Sequence, residues 1–239
     1  MSDLPLSPAP TPLQSELRRL YLARSGALSD VDGFVRCLVL ELAGPPDWRE
    51  LGRVWQGVQS ELDLPAPGIA VSGTDGLQLW FSLADPVAIS QGQRFLQGLV
   101  ARFLADVEPR RLRLLPSADQ PVRLVPAEQV PGGNWSAFLA PDLAPVFADT
   151  PWLDIPPGDE GQTALLRVLA VSKPSVFEAA LLRLTPRTAA GAGFSPMAAG
   201  EETDPRQFLL RVMNDAGVEM GLRIEAAKAL LPHLGSQPV

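Results

Sequence analysis

The segment 68–87, GIAVSGTDGLQLWFSLADPV, decides how the chain is read. Two apolar runs flank the short stretch from Ser72 to Gly76, and a connection of this length and composition joins two paired strands. Gly73 and Gly76 supply the backbone freedom of a tight loop, whatever that loop holds. Gln78 is the one polar side chain in the run 77–81, LQLWF.

Outward from the hairpin, the run 34–43, FVRCLVLELA, is almost continuously apolar and lies between Gly33 and Gly44-Pro45-Pro46. It predicts a buried strand. Asp47 then caps a helix, WRELGRVWQGVQSEL, with Trp48, Leu51, Val54, Trp55 and Val58 on one face. A second amphipathic helix follows the hairpin, carrying Phe95, Leu96, Leu99, Val100, Phe103 and Leu104. An earlier helix carries Leu13, Leu17, Leu20 and Tyr21 on one side. RRLRLLP (110–116) and PVRLVP (121–126) read as short strands bearing Arg110, Arg111, Arg113 and Arg123, and 133–157 reads as loop with short helical turns.

The order of elements predicts an α+β fold, a mixed or antiparallel sheet flanked by helices, with a helical C-terminal extension. The expected organisation is a disordered proline-rich arm at 1–12, an α+β domain at 13–157, a helical extension at 158–184, a Gly/Ala/Pro linker at 185–203 and a helical hairpin at 204–234. In the hairpin Asp204 is the N-cap and Pro205 the first helical residue. Such a pair is too short to hold a core and is expected to dock on a protein partner.

Composition narrows the chemistry. The 239 residues contain one cysteine, Cys37, and one histidine, His233. A disulfide, a cysteine-based zinc site and a histidine-dependent triad are thereby disfavoured. Cys37 sits in an apolar run and reads as a core thiol, and His233 as a cap on the last helix. The formal net charge of −7 argues against a protein that coats nucleic acid through a positive surface. No apolar run approaches the ~20 residues that span a bilayer, and 1–14 lacks a signal pattern, so no membrane partner and a cytoplasmic setting are expected.

Over 38–83 the sequence resembles the catalytic core of the archaeo-eukaryotic primase superfamily, in particular bacterial primase-polymerase domains. In that family a strand ends in Asp-x-Asp, a helix follows, and a later strand leads into Ser-Gly-x-x-Gly-x-His on a hairpin. Here LVLELA and VSGTDGLQ stand in the same order at similar spacing. The match covers about a fifth of the chain closely. It implies a two-metal site, since carboxylates at i and i+2 share one strand face and hold two divalent ions roughly 3.5–4 Å apart. It also implies that Ser72, Gly73, Thr74 and Gly76 present a hydroxyl and amides to nucleotide phosphates.

This chain departs from that pattern in its charges. Glu41 stands in place of the first aspartate, Ala43 in place of the second, and Gln78 in place of the histidine. Asp119 and Asp142 are candidates for a third acid. The expectation is a degenerate primase-polymerase-like protein, a non-catalytic nucleotide- or nucleic-acid-binding module of bacterial DNA replication or of mobile-element or prophage DNA handling. The alternatives are an active nucleotidyltransferase using Glu41 with Mg²⁺ or Mn²⁺ and nucleotide, and an interaction module that retains the fold alone. Arg110, Arg111, Arg113 and Arg123 are the candidate nucleic-acid contacts, as a stripe along adjacent strands. The C-terminal segments DPRQFLLRVMND and LRIEAAKALLP loosely resemble pieces of phage packaging and DNA-binding proteins, with Arg206, Arg211, Arg223 and Lys228 facing DNA in that reading.

Overall fold

The computed structural model describes residues 9–23, 25–29, 33–117, 120–129 and 133–185, together with 223, 224 and 228. The apolar run becomes strand β1 (Phe34–Ala43), and the decisive segment becomes β2 (Gly68–Val71) and β3 (Gly76–Ala88). Three further strands follow, β4 (Leu112–Leu115), β5 (Ala127–Glu128) and β6 (Trp135–Leu139). They form one sheet in the order β4-β1-β3-β2-β6-β5, curled into a half-barrel. Every strand pair is antiparallel, so of the two sheet types expected the antiparallel one is found.

Strand alternation divides the sheet into two faces. On the first, Leu38, Leu40 and Leu42 of β1 meet Leu77, Leu79 and Phe81 of β3 in the larger core. Helices α2 (Trp48–Ser60), α3 (Ile89–Phe103) and α5 (Pro174–Leu184) close this face with Leu51, Val54, Phe95, Leu99 and Phe177. Asp47 caps α2 as expected, its side chain accepting from the Arg49 amide at 2.7 Å. An irregularity between Val35 and Cys37 lets Val35 join the same core as Leu38.

The second face is covered along part of its length by α1 (Pro12–Leu20) and α4 (Asp159–Arg167). Here Cys37, Val39, Ala70, Trp80 and Phe138 pack under Leu13, Leu17, Leu20 and Tyr21. Tyr21 stacks on Phe138 at 5.8 Å and meets Trp80 edge-on at 5.1 Å. Arg36 ties the end of α1 to the sheet, donating to the carbonyls of Arg19, Leu22 and Leu83. Towards the β2–β3 turn the apolar row gives way to Gln78, Glu41 and Arg113, and there the cover stops.

Four sequence expectations change. The helix at the N-terminal end begins at Pro12 behind a Thr11–Gln14 capping box and stops at Leu20. Thr11 and Pro12 are therefore structured, while 1–8 lie outside the described residues. The 121–126 segment is not a strand, because Pro121 and Pro126 lack the N–H that a ladder needs. The stretch WSAFL, read as loop, is β6.

The fourth change concerns 158–184, which is stitched into the sheet. Gln162 of α4 bonds both the amide and the carbonyl of Phe138, at 2.8 and 3.0 Å, so its side chain acts as a neighbouring strand on β6. Ser172 exchanges backbone bonds with Ser82 and Ala84 on β3. One compact unit accordingly runs to Thr185. In the second unit, Pro186–Val239, the described positions Arg223, Ile224 and Lys228 are helical. The expected linker and hairpin otherwise lie outside the described residues, as do His233, Arg206 and Arg211.

Candidate functional site

β1 lies between β3 and β4, and the register sets Glu41 opposite Gln78 on one side and opposite Arg113 on the other. Residues directly across an antiparallel ladder share a face, so the three side chains meet. Glu41 is 4% exposed. Its Oε2 accepts from Gln78 Nε2 at 2.7 Å, and its Oε1 accepts from Arg113 Nη1. Trp80 Nε1 donates to Gln78 Oε1 at 2.8 Å, which fixes which end of the amide faces Glu41. An imidazole in place of Gln78 would need the correct tautomer to receive one proton and give another; an amide does both at once.

Arg113 also grips the loop. Its Nη1 and Nη2 reach Asp75 Oδ1 and Oδ2 at 2.7 and 2.9 Å. This fork holds the Asp75 carboxyl below the usual carboxylate range. Asp75, and then Glu41, push the guanidinium still further above its ordinary value. One arginine thus neutralises a floor carboxylate and a loop carboxylate together.

The loop between β2 and β3 closes on itself. Ser72 Oγ accepts from the amides of Thr74 and Gly76, at 3.1 and 2.9 Å, and lies 3.0 Å from Thr74 Oγ1. The Gly73 amide donates to the Pro151 carbonyl at 3.0 Å, and the Ser72 amide to the Gly76 carbonyl at 2.8 Å. The two glycines are explained by packing. At Gly73, where φ is +79°, a Cβ would stand 2.7 Å from the Ser136 backbone nitrogen. At Gly76 it would stand 2.8 Å from Glu41 Oε1. The turn is shaped to let a carboxylate and a neighbouring strand pass close by.

Glu41, Ser72, Thr74, Gln78, Arg113 and Arg123 all line one cleft of about 630 Å³. The sequence-predicted floor and loop therefore converge. The rest of its lining is a wall from the 120–125 segment, with Gln129, and Leu115, which lies two residues from Arg113 on the same face of β4. The four arginines do not form a stripe. Arg110 is exposed and pairs with Glu108 at 2.6 Å. Arg111 folds back on Glu50 and on the carbonyls of Ala43 and Pro45. Arg113 is held by its two acids, and Arg123 stands exposed at the cleft, 3.5 Å from Gln129 Oε1. Arg110, Arg111 and Arg113 line a second cleft together with Asp47, Glu50 and Asp106, and each of the three is paired with an acid that absorbs its charge.

The donor set does not suit a pair of divalent ions. Ala43 brings no donor, Glu41 is balanced by Arg113, and Asp142 is exposed beyond β6 and does not line the cleft. Asp119 lies outside the described residues. Among the described residues no three of Asp, Glu, His and Cys cluster as metal ligands. What the floor can do is hold its own shape, while the wall opposite offers hydrogen-bonding groups with fewer internal partners.

Two members of the site escape sequence reading. Asp75 looks like an ordinary turn residue in GTDG until the β4 register brings Arg113 to it, and Trp80 looks like ordinary core although its indole N–H reaches Gln78 two residues away on β3. No local signal marks Arg113 as a counter-ion, since its partners are far away in the chain. No family model matches the sequence, and no curated protein matches it.

Proposed function

We propose that the chain is a non-catalytic binding module on a degenerate primase-polymerase-like sheet, taking a nucleotide or single-stranded nucleic acid in the cleft above Glu41 and Gln78. The setting is the one the resemblance implies, bacterial DNA replication or the DNA handling of a mobile element or prophage. The observation that carries the reading is the state of Glu41. The one acid at the family's metal-holding positions accepts from Arg113 and Gln78 at once, so its charge and both oxygens are engaged. The convergence of the Ser72 loop, Gln78 and Glu41 on one nucleotide-sized cleft supports binding without turnover.

Two assays test it. Primer extension with Mn²⁺ and all four deoxynucleoside triphosphates is expected to give no product. Extension that Glu41→Ala abolishes overturns the reading in favour of an active nucleotidyltransferase. A thermal-shift titration with nucleotides and short oligonucleotides is expected to raise Tm, because a ligand of the folded state stabilises it.

A second reading, a fold retained for protein interaction, is favoured by the self-closed loop, whose amides of Ser72, Gly73, Thr74 and Gly76 are all engaged internally. No shift with any nucleotide or oligonucleotide selects it.

A further inference from the structure

Resting on the nucleotide-binding reading, we infer that the cleft admits a nucleotide base-first, with its phosphate outside at Arg123, the reverse of the orientation in which the Ser72 loop would cradle phosphates.

The inner end of the cleft is built against phosphate. The amides of Gly73, Thr74 and Gly76 donate to Pro151 and to Ser72 Oγ, and the Asp75 amide faces its own carboxylate. Arg113 is the cation at this end, and it already donates to three carboxylate oxygens, one on Glu41 and two on Asp75. A phosphate placed here would face both carboxylates and would have to pull Arg113 from its partners. Close like charges in a partly buried site are strongly unfavourable.

The wall formed by the 120–125 segment has the opposite character. Val125 is buried and Val122 half-buried, and with Leu115 at the end of β4 they line the cleft with apolar surface beside Pro121. That surface suits the flat face of a heterocycle. Gln120 is exposed on this wall, and its side-chain amide makes no hydrogen bond among the described residues. It is free to read the polar edge of a base with one donor and one acceptor. Arg123 is exposed at the mouth, with a single long contact to Gln129 and no acid paired to it among the described residues. A guanidinium so placed recognises one phosphate by a forked, charge-assisted contact.

The lining thus sorts a ligand by polarity: a neutral, hydrogen-bonding ring inside and one anionic group outside. A nucleoside monophosphate, or the terminal nucleotide of a single strand, has that distribution. An extended triphosphate directed at the floor does not.

The test is a calorimetric and thermal-shift comparison on the full chain, in EDTA, of the common nucleosides, their 5′-monophosphates, their 5′-triphosphates and inorganic triphosphate. Monophosphates are expected to bind about tenfold more tightly than nucleosides, triphosphates no more tightly than monophosphates, and inorganic triphosphate not at all. Arg123→Ala is expected to reduce monophosphate affinity to the nucleoside level while leaving nucleoside affinity unchanged. Val122→Trp, which fills the wall at a half-buried position, is expected to remove nucleoside binding without lowering the Tm of the free protein.

Inorganic triphosphate binding, or triphosphates that bind at least tenfold more tightly than monophosphates and lose that advantage in Ser72→Ala, overturns the base-first orientation while leaving the nucleotide-binding reading standing. Monophosphate binding that Arg123→Ala leaves untouched, or nucleoside binding that Val122→Trp leaves untouched, also overturns it. The absence of any shift with nucleosides, nucleotides and oligonucleotides overturns both.

Discussion

β1 carries two rows of side chains with different fates. Leu38, Leu40 and Leu42 face α2 and α3 and are fully buried in an apolar core. Cys37, Val39 and Glu41 face the other way, and this row changes character along its length. Cys37 and Val39 lie under α1, where burial alone pushes the Cys37 thiol well above its usual range. One step of the row further on, Glu41 is nearly as deeply buried but lines the cleft and is held by hydrogen bonds and an ion pair. The first row is stabilised by area removed from water, which tolerates no hole. The second is stabilised by pairing, which tolerates replacement of both partners better than loss of one.

Truncating the first row produces the largest effect. Leu40→Ala removes a fully buried side chain from the middle of the sheet and is expected to cost about 2–5 kcal/mol in urea unfolding. A cost below about 1 kcal/mol would mean that the core under α3 collapses around the hole, erasing the contrast between the faces.

The second row is broken through Arg113. Arg113→Met leaves the buried Glu41 carboxylate with Gln78 as its remaining partner and is expected to cost about 1–3 kcal/mol. Adding Glu41→Gln removes the unpaired charge and is expected to recover most of that loss, because a neutral amide still bonds Gln78. A double variant no more stable than Arg113→Met assigns the loss to packing of the arginine stem instead of charge. Leu40→Ala admits no such rescue by a second polar change, and that asymmetry is the sharpest form of the comparison.

How far each row is legible in sequence follows from the same physics. The strand, the hairpin and the helices over the first face are written as local periodicity, and the structure follows them. The convergence of Glu41 with Gln78 follows from that hairpin once β1 pairs with β3. The lock on Glu41 does not, because Arg113 reaches it through a β1–β4 register that joins residues far apart in the chain. β6 is missed because WSAFL is only five residues long and lies in glycine- and proline-rich surroundings, and its far edge pairs with the two-residue β5 alone, the Gln162 side chain serving Phe138 beyond it. The 121–126 segment is misread because its alternation of Val, Leu and Arg outweighs its prolines, whereas in the fold it serves as the wall of a cleft.

A smaller effect is expected at the covered end of the second face. The Tyr21 hydroxyl is buried without a hydrogen-bond partner among the described residues, and desolvation pushes its pKa well above the usual phenol value. Gly68 presses on it, since a Cβ there would lie 2.7 Å from the hydroxyl oxygen. Tyr21→Phe keeps the ring contacts with Trp80 and Phe138 and removes the unmatched group. It is expected to raise stability by about 1 kcal/mol, or Tm by about 2–4 °C, in a differential scan. A fall in Tm would show that the hydroxyl contributes an interaction of its own and that this end of the face is not governed by apolar packing alone.

The smallest effect lies at the open end and depends on pH. Arg113 lowers the Asp75 pKa in the folded state. A carboxyl of depressed pKa contributes stability that is fully present above its unfolded value of about 3.9 and is lost as pH falls through the folded value. Asp75 is 48% exposed at its side chain, so the contribution is expected to stay below about 1 kcal/mol. Urea midpoints measured from pH 6 down to pH 3 are expected to fall more steeply for the native chain than for Asp75→Asn, with the curves converging at the acid end. Parallel curves would mean that the fork from Arg113 to the loop contributes nothing in solution. The loop would then be held by Ser72 and by the backbone bonds to Pro151 and Gly44, and Arg113 would belong to Glu41 and the floor of the cleft.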